Sequence, residues 1–245
     1  MPEPFSVELS IVIPAYNESH KIVRDVKAAS DFLTGEKIAG EVIVSDDGSR
    51  DGTAETAKSC TVPPGVTLKV VTQETNHGKG AAVRAGMQVS TGRFVMFADS
   101  GVCIPYEQAM RGLTPLRAGT CEIAHASRKR SDSVIVNPQP FHRRVLSRVF
   151  RSAVDAYLGL PYHLTDTQCG FKLYQGDLGR SLYAQCQTDG FLFDLEIILR
   201  AKQAGARIAE FPVTWACDPD SRLRPGKTAV RTIVELNGIK RSVLK

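Results

Sequence analysis

The chain has 245 residues, 42% hydrophobic and 23% charged, which is the composition of an ordinary globular protein with room for a full core. No apolar run approaches the roughly 18 residues of a membrane-spanning helix, and the first residues lack the basic and apolar regions of a signal peptide. The six cysteines show no CxxC pair, which argues against a disulfide framework or zinc site and favours reduced thiols in a cytoplasmic protein.

The net charge of +5 is unevenly distributed along the chain. Residues 128–151 and residues 222–245 each contain seven Lys or Arg and one acid, so the rest of the chain is net negative. Such basic segments suit an anionic partner, such as a phosphate, a membrane surface or a nucleic acid, or they form a solvated surface.

The first hundred residues alternate between strand and helix patterns. Short β-branched or apolar runs predict strands at residues 9–14, 41–45, 66–72 and 93–98. Helical spacing predicts helices at residues 18–33, 51–60 and 78–90, the second capped by Asp51. This alternation predicts a parallel sheet with helical crossovers.

The second half is less regular. Strands are predicted at residues 121–126, 167–174 and 207–215, and helices at residues 145–160, 191–205 and in the basic tail after Pro225. The apolar stripe of 145–160 suits core packing, but the arginines that flank it also suit a peripheral membrane contact.

Polar residues follow the predicted strands of the first half, and parallel strands bring such residues to one edge of the sheet. Tyr16 could pack against a base, Asp47 could accept hydrogen bonds from a base or ribose, and Lys79 could meet a phosphate. The glycine-rich helix start at residues 78–80 could offer N–H groups to a phosphate. We therefore predict a nucleotide-diphosphate pocket, although the patterns GxxxxGK[ST] and GxGxxG are missing from the first strand end.

Several segments, in order and spacing, resemble glycosyltransferases of family 2. In the first half these are IVIPAYNE, VSDDGSRDGT, NHGKGAAVRAGM and FADSG. In the second half ASRKRSD, TDTQCGFKLY, the DGFLFDLE segment and SRLR resemble the dolichyl- and polyprenyl-phosphate glucosyl- and mannosyltransferases. The resemblance implies a GT-A fold, an α/β Rossmann-like, mostly parallel sheet with helices on both faces. It predicts a single domain over residues 1–225, with a nucleotide-sugar half (1–100) and an acceptor half (101–225), and a basic, helical tail at 226–245.

The resemblance also assigns donor-side roles. Asp47 would contact the base or ribose, Lys79 would lie near the donor, and Asp99 would lie near the metal and diphosphate. Arg222 and Arg224 would close over phosphates. The residues that would border the nucleoside are Pro14, Ala15, Tyr16 and Glu18.

On the acceptor side, Gln168, Asp194 and Glu196 would line the sugar and acceptor. A lipid phosphate is already anionic and needs cationic positioning, whereas a hydroxyl acceptor needs a general base, for which Asp194 and Asp166 are the candidates. The residues expected to meet the acceptor phosphate are Arg128, Arg143 and Arg144. The candidate catalytic residues are Asp99, Gln168, Asp194 and Arg222.

The chain departs from the family at the DxD motif, which reads Asp99-Ser100-Gly101. In relatives the second acid usually ligates Mg²⁺ or Mn²⁺, and a further ligand of some relatives falls at Cys103, which is a poor ligand for hard cations. Three outcomes are open: a metal held by Asp99, waters and the diphosphate; neutralisation by Arg222, Arg224 or Lys227; or loss of catalysis.

The leading hypothesis is an inverting glycosyltransferase on the cytoplasmic side, peripheral on the membrane, without nucleic acid as a partner. It would move a hexose from a UDP- or GDP-sugar to a polyprenyl phosphate. The alternatives are transfer to a hydroxyl acceptor and a non-catalytic nucleotide-sugar-binding protein.

Overall fold

The computed structural model describes residues 6–136, 154, 156–161, 163–216 and 229–243. The elements of the first half are β1 (Leu9–Ala15), α1 (Ile22–Gly35), β2 (Gly40–Asp46), α2 (Thr53–Lys58), β3 (Val66–Thr72), α3 (Lys79–Gln88) and β4 (Phe94–Ala98). After a 3₁₀ turn (Tyr106–Gln108) come α4 (Ala109–Arg117), β5 (Ile123–Ser127), β6 (Val134–Ile135), β7 (Phe171–Gln175), α5 (Gly176–Gln185), α6 (Phe193–Gln203), β8 (Ile208–Pro212), β9 (Thr214–Trp215) and α7 (Ala229–Val243).

Strands β1 to β4 form the parallel sheet that the sequence predicts, in the order β3-β2-β1-β4. Every residue of β1, β2 and β4 is buried, as expected of parallel strands covered on both faces. Two predicted helix starts were too early, because α1 begins at Ile22 and α2 at Thr53. The N-cap of α2 is Gly52 rather than Asp51, whose carboxylate accepts the N–H of Thr53 at 3.1 Å.

Strand β7 lies antiparallel between β4 and β5 in the main sheet, whose full order is β3-β2-β1-β4-β7-β5-β8. Its first residue, Phe171, pairs with Ala98, the last residue of β4. The loop that precedes β7 therefore lies at the carboxyl end of β4, beside Asp99. This inserted strand brings the two halves of the chain into one site.

Alternate residues of the strands pack on opposite faces of the sheet. Ile11 and Ile13 belong to a cluster with Val26 of α1, whereas Val12 belongs to a second cluster with Val83 of α3. Helices thus cover both faces.

A third cluster joins the C-terminal helix to the rest of the protein. Leu236 and Ile239 of α7 are buried against Leu195 and Leu199 of α6, with Val154 from the predicted helix at 145–160. Most of that predicted helix lies outside the described residues. Among the described residues, none of the helices combines the length and the apolar character that crossing a membrane requires.

Candidate active site

The loops after β1 and β2 are clipped together by hydrogen bonds from backbone N–H groups. The N–H of Asn17 donates to Ser49 Oγ, and that of Glu18 donates to Thr53 Oγ1, both at 2.8 Å. Pro14 and Ala15 are buried at the end of β1, whereas Tyr16 and Glu18 are half-buried. These four residues therefore lie together at the carboxyl edge of the sheet, and their role at the border of a nucleoside stays a prediction.

Asp47 fixes the loop that leads into α3. Its carboxylate accepts hydrogen bonds from Asn76 Nδ2 at 2.7 Å, from the N–H of His77 at 2.9 Å and from the N–H of Gly78 at 2.8 Å. Burial raises the pKa of Asp47, although the two backbone hydrogen bonds act in the opposite direction. A carboxylate offers about four acceptor positions, so three of them serve the protein before any base or ribose is bound.

The glycine-rich start of α3 is packed against the protein rather than open to a phosphate. The N–H of Gly78 donates to Asp47, and that of Gly80 donates to the backbone oxygen of Asp189 at 2.7 Å. A Cβ at Gly78 would lie 2.5 Å from the same oxygen of Asp189, and one at Gly80 would lie 2.4 Å from the oxygen of Thr188. The expectation that these two N–H groups bind a phosphate is wrong. The glycines are required because α3 packs closely against residues 188–190.

Lys79 and Asp99 form an ion pair across the candidate site. Nζ of Lys79 lies 2.6 Å from Oδ1 of Asp99 and between the rings of Phe97 and Phe193, at 5.7 and 5.8 Å from their centroids. Burial favours the neutral amine, but the charges of Asp99 and Asp194 outweigh it, so the pKa of Lys79 is raised. The structure thus keeps an ammonium group charged beside the carboxylate predicted to face the diphosphate.

The backbone around Asp99 explains the glycine in TDTQCG. The N–H of Asp99 donates to the backbone oxygen of Gly170 at 2.9 Å, which continues the pairing of β4 with β7. A Cβ at Gly170 would lie 2.1 Å from the Asp99 carboxylate. Gly170 therefore leaves the space that this carboxylate occupies. Gln168, two residues earlier, is exposed.

Asp194 forms a buried ion pair with Lys172, a residue that none of the sequence motifs indicated as part of the site. The two side chains are in hydrogen-bond contact and almost fully buried, and Lys172 Nζ also donates to the backbone oxygen of Thr167 at 2.9 Å. Burial raises the pKa of Asp194, while the charges of Lys172 and Lys79 oppose the shift. A lysine in the otherwise apolar strand FKLY was the available signal, since a buried lysine requires a partner.

Arg128 pairs with Asp166 through both arms of its guanidinium. Nε lies 2.7 Å from Oδ2 of Asp166, the second nitrogen lies 2.9 Å from Oδ1, and the guanidinium stacks 5.4 Å from the ring centre of Trp215. Burial opposes ionisation of Asp166, but the hydrogen bonds and charge of Arg128 prevail and lower its pKa to about 2. Asp166 therefore positions the arginine predicted to meet the acceptor phosphate.

Glu196 does not line the sugar or acceptor, contrary to expectation. It is fully buried, accepts hydrogen bonds from the N–H groups of Gln187 and Thr188, and pairs with Arg200 at 2.6 Å. It instead fixes the segment that packs against α3. Of the other predicted site residues, Arg143, Arg144, Arg222 and Arg224, together with Lys227, lie outside the described residues.

The described residues do not fit a divalent cation held by protein side chains. Asp99 is paired with Lys79, and position 101 has no side chain. No group of three His, Cys, Asp or Glu residues within the described ranges could hold a metal.

Comparisons with known proteins identify the family of the chain. The sequence model of Glycosyl transferase family 2 matches residues 10–177. The chain belongs to this family. This confirms the resemblance to family 2 glycosyltransferases that the sequence motifs indicated, and it confirms that the protein is a glycosyltransferase.

Two of the relatives that are similar in sequence are named dolichyl-phosphate beta-glucosyltransferase. The dolichyl-phosphate beta-glucosyltransferase of Drosophila melanogaster is 32% identical over 233 residues, covering 90% of this chain and 70% of the relative. The human protein of the same name is 29% identical over 229 residues, with 89% and 70% covered.

Solved structures support the predicted fold. Glucosyl-3-phosphoglycerate synthase from Mycobacterium tuberculosis matches with a TM-score of 0.59 and 20% identity, covering 97% of this chain and 77% of that one. Mannosyl-3-phosphoglycerate synthase from Rubrobacter xylanophilus matches with a TM-score of 0.63 and 16% identity, covering 97% and 73%. At these identities the likeness bears on the fold alone, and it confirms the GT-A, mostly parallel α/β architecture.

Proposed function

We propose that this glycosyltransferase transfers glucose from a nucleotide sugar to a polyprenyl phosphate of the dolichyl type, with inversion at the anomeric carbon. The names of the relatives in fly and human support the acceptor and the sugar. UDP-glucose is the donor we propose first, and GDP-mannose is the alternative.

The observation that carries the proposal is the state of the two candidate bases. A hydroxyl acceptor must lose a proton, so its transfer needs a base within hydrogen-bond reach. Asp194 is buried against Lys172, and Asp166 is held in a two-armed pair with Arg128, with a pKa of about 2. A carboxylate with so low a pKa is a weak base. Both acids are thus engaged, which favours an acceptor that is already anionic.

The donor side supports departure of a diphosphate. Lys79 is held charged at the carboxyl edge of the sheet, paired with Asp99 at the end of β4. An ammonium group carries three donors and can stabilise negative charge that develops on the leaving oxygen. We propose that Lys79, aided by Arg222 and Arg224, neutralises the nucleoside diphosphate and that a divalent metal contributes less than in relatives with two acids.

The C-terminal helix α7 supports peripheral contact with a membrane. Ile233 and Val234 are 59% and 64% exposed, and the exposed Lys240 and Arg241 follow seven residues later on the same side of the helix. Exposed apolar residues beside basic ones suit the headgroup region of an anionic bilayer. We propose that this surface brings the enzyme to its lipid acceptor from the cytoplasmic side.

The test is a transfer assay with labelled UDP-glucose and dolichyl phosphate in vesicles. Labelled glucosyl lipid is expected with dolichyl phosphate and not with dolichol, and faster in anionic than in neutral vesicles. Product with dolichol but not with dolichyl phosphate would show that the enzyme uses a hydroxyl acceptor. Donor binding without product from UDP-glucose or GDP-mannose would favour a nucleotide-sugar-binding protein.

A further inference from the structure

Helix α1 carries an acid that neither the sequence motifs nor the proposed reaction accounts for. Asp25 is fully buried, and acids are rarely so buried unless they are paired. Its Oδ2 accepts hydrogen bonds from Ser100 Oγ at 2.6 Å and from the N–H of Gly101 at 2.8 Å. Arg24, which is mostly exposed, approaches the other oxygen at 3.5 Å. The close partners of Asp25 are therefore the two residues that follow Asp99.

The turn that Asp25 contacts has an unusual backbone. Gly101 has φ +107° and Val102 has φ +49°. A β-branched residue with positive φ is an outlier that persists only where the surroundings hold it. The hydrogen bonds that Ser100 and Gly101, the two preceding residues, donate to the buried carboxylate of Asp25 are such a restraint.

The same turn carries the residue that faces the donor. Asp99 is fixed on one side by its backbone pairing with Gly170 and is paired through its carboxylate with Lys79. On its other side the chain runs directly into Ser100 and Gly101. The direction of the Asp99 carboxylate thus depends on a turn that is anchored to α1 through Asp25.

We infer that Asp25 is a positioning residue of the donor site. The turn has glycine at position 101, where relatives have the second acid of the DxD motif, and Asp25 brings a carboxylate to this turn from α1. This carboxylate holds the turn in place and does not contact a ligand. A side chain at position 101 could not take this role easily, because φ +107° disfavours residues other than glycine. The inference rests on the proposed function, since the turn matters through donor binding and transfer.

The experiment compares Asp25→Ala and Asp25→Asn with a control on the same helix, Ser30→Ala. Ser30 is also buried on α1 but lies more than one turn beyond Asp25. The assays measure kcat and KM for UDP-glucose, the affinity for UDP by calorimetry, and thermal unfolding. Asparagine keeps an oxygen that can accept both hydrogen bonds, whereas alanine removes it.

We expect Asp25→Ala to lower kcat/KM for UDP-glucose by about tenfold or more, because small misplacements in a site reduce rates strongly. Asp25→Asn should stay within about threefold of the parent, in line with a retained hydrogen bond. Ser30→Ala should leave both constants unchanged. A folded Asp25→Ala variant with parental kcat/KM and parental UDP affinity would overturn the inference, since a merely structural acid alters only stability.

A second variant covers the case in which Asp25→Ala does not fold. Ser100→Ala removes one of the two donors and leaves Asp25 in place, and it should lower kcat/KM by about threefold to tenfold. An unchanged kcat/KM would contradict the inference. If the parent protein forms no glucosyl lipid, the proposed function has failed, and the role of Asp25 is then decided by UDP affinity in the same variants.

Discussion

At the scale of single residues, the site depends on contacts that tolerate no extra atom. Gly170 is the sharpest case, because its Cβ would lie 2.1 Å from the Asp99 carboxylate. That carboxylate is the end of a flexible side chain and can rotate away from an added methyl group, so the substitution should cost little folding stability. Turning away, however, removes Asp99 from Lys79.

We therefore predict that Gly170→Ala lowers kcat/KM for UDP-glucose by about 100-fold while the protein stays folded. Circular dichroism and steady-state kinetics check the two halves of this prediction. The matched control is Gly35→Ala in α1, where an added Cβ meets nothing within 4 Å. Parental kinetics in Gly170→Ala would show that the Asp99 carboxylate is not needed where it lies.

The pair of Arg128 and Asp166 makes stability depend on acid pH. The pKa of Asp166 falls from an ordinary 3.8 to about 2 in the folded protein. A lowered pKa means that the pair stabilises the fold above about pH 3.8 and that this contribution is lost as the pH falls towards 2. The shift corresponds to about 2 kcal/mol.

Chemical unfolding at several pH values checks this dependence. Asp166→Asn should be less stable than the parent at pH 7, and the difference should shrink below pH 3.8. Asp31→Asn, which alters an exposed acid on α1, should show little difference at any pH. A gap between Asp166→Asn and the parent that stays constant down to pH 2 would contradict the assigned pKa.

At the scale of elements, the sequence predicts where strands and helices form better than it predicts which of them lie side by side. The strands β1 to β4 follow from apolar runs, because such runs are what buried parallel strands require. The insertion of β7 between β4 and β5 does not follow, since the order of strands depends on contacts between distant residues. Gly170 was missed for this reason, because its role beside Asp99 appears only once β7 pairs with β4.

The helix starts show the same limit. The residues 78–80 looked suited to a phosphate because glycines precede a helix, but the segment at 188–190 occupies that position. Asp47 and Lys79 lie at this edge, and their roles toward the donor stay predictions, but their hydrogen-bond and ion-pair partners did not follow from the sequence. Motif spacing reports which residues lie near the site, while hydrogen bonds decide what each can still bind.

At the scale of the whole molecule, ligand binding should report on the charge balance of the site. A ligand that binds the folded state alone at about 100 times its Kd adds about 2.7 kcal/mol of stability. For a chain of this size that is an increase in Tm of about 5–10 °C. The negative charge of the diphosphate can be neutralised by Lys79 and other basic residues or by a divalent metal. The increase in Tm on UDP binding, measured with and without the metal, distinguishes the two cases.

We predict that UDP raises the Tm both with Mg²⁺ and with EDTA, with more than half of the increase retained in EDTA. The physical reason is that Lys79 is already placed and charged, whereas Asp99 has no second acid at position 101 to complete a metal cage. Lys79→Met should lose most of the increase under both conditions. If EDTA abolishes the increase in the parent and Mn²⁺ restores it, then the metal rather than Lys79 carries the diphosphate, and Asp99 must exchange its lysine partner for the cation when the donor binds.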